Sequence, residues 1–315
     1  MSDEAVQATN DDASMCKRYA VEKGYWKDPY INLLVKLGER RAPEISRGYY
    51  ARMEGIRILL EKFLRMTECK GQVVSLGAGF DTALWRLKDA KLLPTSYIEV
   101  DFRPVTSRKC QKIRSRDKLM SPLIEISGGR EHVLIGDAEL HSKHYHIVWA
   151  DLRNLEEFED KLKSCGIDNS LPTLFLAECV LVYMSAAKSS ELLSWISGKF
   201  DSVFFINYEQ VNMQDRFGQV MVNNLRGRKC DLCGIEPCTS LKTQEERFTS
   251  SGWESSRAVD MMEFYQSLPD LDRIVRLEFL DEAELLEQLM THYCICAAYK
   301  DPNNIGFSSI NLKKS

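Results

Sequence analysis

Apolar residues change their spacing near residue 70, and the change separates two kinds of structure. Before it they recur at helical intervals. Residues 46–66, SRGYYARMEGIRILLEKFLRM, form the clearest amphipathic helix: at about 100° per residue, Tyr49, Met53, Ile56, Leu59, Leu60, Phe63 and Leu64 share one arc. Glu54, Gly55, Glu61, Lys62 and Arg65 lie opposite. A shorter helix over 14–23 ends at Gly24, and residues 1–12, acidic and polar, read as a disordered tail. Beyond residue 71, short β-branched runs alternate with helical stretches, the pattern of a parallel sheet. The predicted strands are 72–77, 96–101, 146–151, 173–178, 202–207, 273–280 and 293–299. Their near-continuous apolar character suits strands covered by helices on both faces. The predicted fold is therefore α/β, a doubly wound, mostly parallel seven-stranded sheet. A helical insertion over 209–272 interrupts it, and Asp281 with Glu284 predicts a capping box for a helix at 282–290.

The strand-to-helix turn VVSLGAGFDT (73–82) carries the first chemistry. Gly77 and Gly79 allow a tight turn and close approach of a ligand to the backbone, and the following helix offers free N–H groups. The second strand ends in Asp101, 24 residues after Gly77, where a carboxylate in this fold accepts hydrogen bonds from ribose. Asp151 and Glu178 close two further strands, so all four positions should converge on one rim. Position 82 is Thr, where a dinucleotide fold would want a small third residue. A pyrophosphate loop is thus poorly supported, and the phosphate-free S-adenosylmethionine fits better. A nicotinamide-dependent oxidoreductase is the rival reading.

Arg52 falls inside the apolar arc of the 46–66 helix, between Leu59 and Phe63. An isolated buried charge costs several kcal/mol, so its guanidinium needs a partner. Either it reaches water from the helix start, or it faces a cavity that holds a carboxylate, for which its fork is suited.

Forty-two basic against 46 acidic residues give a formal charge of −4, without the basic face expected of a nucleic-acid binder. No run of 18 apolar residues predicts a membrane span, and the N-terminus lacks the pattern of a secretory signal. A cytoplasmic, or also nuclear, location is expected, with the ten cysteines as free thiols, buried small hydrophobes or metal ligands, not a disulfide framework. Cys230, Cys233 and Cys238 lack a nearby fourth ligand and read as incidental thiols on a solvent-facing loop, not as zinc ligands. The five histidines show no metal or catalytic spacing, so no metal is expected.

Longer stretches carry a more specific signal. CKRYAVEKGYWKDPYI (16–31), RAPEISRGYYAR (41–52), SLGAGFDT (75–82), LPTLFLAECVLVYM (171–184), FINYEQVNMQDRFGQVM (205–221) and DEAELLEQLMTHYC (281–294) together resemble the leucine carboxyl methyltransferases. These modify the C-terminal leucine of the protein phosphatase 2A catalytic subunit. The resemblance implies a class I S-adenosylmethionine-dependent methyltransferase fold, one domain over 13–315. Its core would span 71–208 and 273–315, with helices at 13–70 and the 209–272 insertion forming a lid and substrate cleft. It implies cofactor contacts at Lys17, Arg52, Gly77, Asp101, Asp151, Leu152 and Glu178, with Arg52 as the catalytic candidate. Ser75 stands where the family pattern leads one to expect Asn. The phosphatase tail and its active-site face would be the partner, S-adenosylhomocysteine the product, and the enzyme a monomer without nucleic-acid or membrane partners. A related enzyme methylates a carboxyl-bearing base of transfer RNA but carries a long repeat domain afterwards, whereas this chain stops about 16 residues past its last predicted strand.

Overall fold

The computed structural model describes residues 3–312. Its strands are β1 (Gln72–Leu76), β2 (Ser96–Asp101), β3 (Leu134–Ile135), β4 (Leu140–His141), β5 (Tyr145–Trp149), β6 (Thr173–Glu178), β7 (Val203–Gln210), β8 (Ser255–Asp260) and β9 (Tyr293–Lys300). They form one sheet in the order β3-β4-β5-β2-β1-β6-β7-β9-β8. β5, β2, β1, β6 and β7 run parallel, and β9 is antiparallel to both β7 and β8. The order reverses between β1 and β6, so the switch point lies above the carboxyl ends of those two strands.

The doubly wound class predicted from the apolar runs is correct, and the late strands, a helix cap and the strand count need correction. Residues 273–280 are not a strand. They follow Asp270 into a short helix and then an irregular segment that leaves Phe279 exposed. The edge place in the sheet goes to β8, inside the predicted insertion, whose Ser255–Asp260 sequence has too few apolar residues to announce a strand. The capping box at Asp281 and Glu284 is absent as well: that helix starts at Ala283, with no side-chain cap from Glu282. The short β3 and β4 bring the sheet to nine strands rather than seven.

Thirteen helices surround the sheet among the described residues: α1 (Asp3–Glu22), α2 (Ile31–Leu34), α3 (Pro43–Met66), α4 (Ala83–Asp89), α5 (Arg103–Arg114), α6 (Asp117–Ser127) and α7 (Leu155–Ser164) precede α8 (Ala186–Lys199). Then come α9 (Arg216–Gly227), α10 (Leu241–Thr249), α11 (Met261–Gln266), α12 (Leu271–Val275) and α13 (Ala283–Thr291). Alternate strand residues feed two separate apolar layers. Val73, Tyr97, Tyr145, Leu174 and Phe204 face α3, α4, α5 and α6. Val74, Ile98, Val148, Phe175 and Phe205 face α7, α8 and α10, where Phe158, Leu193 and Phe248 are fully covered. The two-residue period of a strand is what separates these layers.

Pro43 opens α3, where its missing N–H costs no hydrogen bond. Gly55, placed on the polar side by the helical wheel, is buried instead, because α3 is covered by α1, α11 and α13 as well as by the sheet. Of the predicted disordered tail, residues 3–12 form the first half of α1, and residues 1–2 lie outside the described residues.

Candidate active site

The carboxyl ends of β1, β2, β5 and β6, roofed by α1 and α9, enclose a cavity of about 530 Å³. Lys17, Arg52, Gly77, Asp101, Asp151, Leu152 and Glu178 all line it. The sequence placed four of these at strand ends. The tertiary fold adds Lys17 from α1 and Arg52 from α3.

The turn after β1 needs glycine on two grounds. Gly77 and Gly79 have φ of 59° and 53°, in the left-handed region. A Cβ on Gly77 would come within 2.6 Å of Val180 Cγ2, and one on Gly79 would collide with Asn10 Oδ1. Asp101 braces the same turn: one carboxylate oxygen accepts the Gly79 N–H at 2.7 Å, the other the Phe102 N–H at 2.7 Å. Burial pushes the Asp101 carboxyl up to about 6, against the pull of those two N–H groups. Asp101 thus holds the glycine turn and also presents its carboxylate to the cavity.

At the other end of the cavity two cations share one carboxylate. Lys17 Nζ lies 2.8 Å from Glu178 Oε1, and Arg52 Nε donates to the same oxygen. Arg52 Nη2 also reaches the Glu178 carbonyl oxygen at 3.4 Å. Burial works to raise the Glu178 carboxyl, but Arg52 and Lys17 outweigh it and hold it at about 2. Tyr208 lies 4.5 Å and Tyr49 5.3 Å from the guanidinium carbon, and Tyr293 stacks on Tyr208 at 5.3 Å. Arg52 is therefore buried at the cavity wall, not reaching water from the helix start. Two positive groups against one carboxylate leave this end with an excess positive charge that suits an incoming carboxylate.

Asp151 is held differently. Arg153 grips its carboxylate with Nε at 2.8 Å and Nη2 at 2.7 Å, and the Arg153 N–H adds a third bond at 2.9 Å. Leu152, beside it, is almost fully covered. Arg153 Nη2 also binds Asp3 of α1 at 2.9 Å.

Sequence reasoning missed residues 3–12 as part of the roof. Asn10 Oδ1 accepts the Phe80 N–H at 3.1 Å, and Asp11 and Asp12 pair with Arg108 and Arg228 at 2.8 and 3.4 Å. With few apolar residues, the first half of α1 gave no helical signal, since ion pairs attach it to the rim and to the end of α9. The cysteines also depart from expectation in part: Cys233 is exposed, but Cys230 and Cys238 are buried. All ten are free thiols.

Residues 5–197 match the leucine carboxyl methyltransferase family. The chain belongs to that family. Leucine carboxyl methyltransferase 1 of Bos taurus is 53% identical over 312 residues, which cover 98% of this chain and 93% of that one. The leucine carboxyl methyltransferase 1 homolog of Arabidopsis thaliana is 40% identical over 305 residues, 96% of this chain and 91% of the other. Human tRNA wybutosine-synthesizing protein 4 is 37% identical over 303 residues, but these make up only 44% of its length. In fold, the chain resembles a putative methyltransferase from Thermobifida fusca, with a TM-score of 0.52 at 14% identity over 82% of this chain and 84% of that one. As a leucine carboxyl methyltransferase, the chain is an S-adenosylmethionine-dependent carboxyl methyltransferase. The nicotinamide-dependent oxidoreductase reading falls with that membership.

Proposed function

We propose that this enzyme esterifies the α-carboxylate of the C-terminal leucine of a protein phosphatase 2A catalytic subunit, and that the ester regulates holoenzyme assembly. The observation that carries this reading is the pairing of Lys17 and Arg52 with a single carboxylate, Glu178, in a cavity of about 530 Å³. The family name supports leucine as the residue modified.

The residues present fit the cofactor. Gly77 and Gly79 leave room against the turn that a side chain would fill, Asp101 offers an acceptor for ribose hydroxyls, and the cation pair suits the carboxylate of an amino-acid end. Asp151, Leu152 and Glu178 complete the wall on this reading. When bound, S-adenosylmethionine supplies an electrophilic methyl group and leaves as S-adenosylhomocysteine. The protein need not remove a proton, because an α-carboxylate with a pKa of about 3.3–3.7 is already ionised at neutral pH. Its task is alignment, which can lower a barrier by roughly 7–11 kcal/mol, together with exclusion of water. Arg52, fixed by Glu178 and two tyrosine rings, orients one carboxylate without reorganising. No metal enters this scheme. The reading takes the enzyme to act as a monomer in the cytoplasm, or also in the nucleus.

Methyl transfer from labelled cofactor tests it. Intact phosphatase should accept label as a base-labile ester, and phosphatase lacking the terminal leucine should not. Label on transfer RNA instead would move the assignment to the wybutosine-type relative.

A further inference from the structure

Three side chains outside the methyltransferase site converge on one point. His141 of β4 and His146 of β5 are direct cross-strand partners, and their Nδ1 atoms lie 3.2 Å apart. Cys165, at the end of α7, brings its sulfur to the same place, and the three ligand atoms all lie within 4.8 Å of one another. His146 and Cys165 are buried, and His141 is partly open to solvent. No linear spacing announces this cluster. A strand pairing and a helix end assemble it.

We propose that His141, His146 and Cys165 form a zinc site separate from the methyl-transfer centre. Two imidazole nitrogens, each roughly 2.0–2.1 Å from a tetrahedral zinc, stand about 3.3–3.4 Å apart, close to the separation seen here. Imidazole and thiolate donors select zinc over hard cations such as magnesium or calcium. Glu139 Oε2 lies 3.8 Å from His141 Nε2, on the ring nitrogen that would not bind metal. That is the place for the carboxylate that orients a ligating histidine. Glu139 also pairs with Lys161, one turn before Cys165 in α7. On binding, Cys165 loses its thiol proton to solvent and the sulfur–zinc bond replaces the S–H bond. A water would complete the tetrahedron.

The position gives the site a structural task. His146 lies near the start of β5, whereas Asp151 and Leu152 follow its end and lead into α7. A metal joining β4, β5 and the last turn of α7 would fasten the base of the unit whose other end carries two cavity residues.

The test uses the full chain, stripped with chelator and titrated with zinc alone against a chromophoric competitor. Wild type should bind one equivalent that His141→Ala and Cys165→Ala both lose. Its thermal midpoint should rise with zinc concentration. Cobalt alone, used as a spectroscopic substitute, should give a thiolate-to-metal absorption that survives Cys233→Ala and disappears in Cys165→Ala. His141 lies in a two-residue strand, partly exposed, so its alanine variant should fold, and circular dichroism checks this. Absence of a tight zinc equivalent in wild type, or cobalt absorption that persists without Cys165, would overturn the proposal.

Discussion

Gly77 and Arg52 show how much depends on one residue's conformation or charge. Gly77→Asp would put a side chain into left-handed backbone and against Val180, and a negative charge at the cavity floor. Calorimetry should find no S-adenosylmethionine binding to that variant; undiminished binding would remove the turn from the cofactor site. Arg52→Lys keeps the charge but loses the planar face between Tyr49 and Tyr208 and the two-point grip on Glu178. A desolvated stack of this kind is worth about 1.4–2 kcal/mol, or roughly 10–30-fold. Steady-state kinetics should show that loss in the apparent cofactor constant if Arg52 and Lys17 clamp the cofactor's carboxylate. A loss confined to turnover would put the acceptor's carboxylate there instead.

Among the elements, α1 links sequence to function least directly. Its first half has few apolar residues to bury; Asp3–Arg153 and Asp11–Arg108 join it to the rim, and Asp12–Arg228 joins it to the end of α9. Each pair is at least partly exposed, so each contributes about 0.2–1 kcal/mol and weakens with salt. Replacing Asp3, Asp11 and Asp12 together by alanine should weaken cofactor binding on the order of tenfold at low salt. The dependence of cofactor affinity on salt should flatten in the same variant. Equal salt dependence in wild type and variant would show that these pairs do not hold the roof closed. The sheet core should be unaffected, because its two apolar layers draw nothing from the first half of α1.

Titration of buried carboxyls sets how the folded chain responds to pH. Burial pushes Glu209 up to about 7 despite Arg247 and the Val182 N–H, and Glu99 up to about 7 despite Lys109. Both retain protons in the folded state that the unfolded chain, with glutamates near 4.3, has released by neutral pH. Stability from these two groups therefore falls as pH rises from about 4.3 to 7. Glu178 acts in the opposite sense: held at about 2, it contributes fully above about 4.3, and that contribution is lost as pH drops towards 2. The melting temperature should accordingly be higher at mildly acidic pH than at pH 8, measured by calorimetry. Glu209→Gln keeps an acceptor for the Val182 N–H and should flatten that slope; an unchanged slope would exclude Glu209 as a contributor.

The five parallel strands, the glycine turn and the acidic strand ends were legible along the chain because each depends on near neighbours. Apolar runs mark buried strands, and a turn at positive φ calls for glycine. Arg52 stood out for a similar local reason, since a charge amid Leu59 and Phe63 needs an explanation. Partners distant in sequence were not legible. Glu178 meets Arg52 across 126 residues, and Lys17 reaches it across 161. Long-range pairing with β9 made a strand of the weakly apolar β8, while residues 273–280 turned aside, their Val275 and Glu278 carbonyls bound by Arg47. Ion pairs, strand edges and the histidine–cysteine cluster arise only once distant segments meet, and a pattern of neighbouring residues carries no record of that meeting.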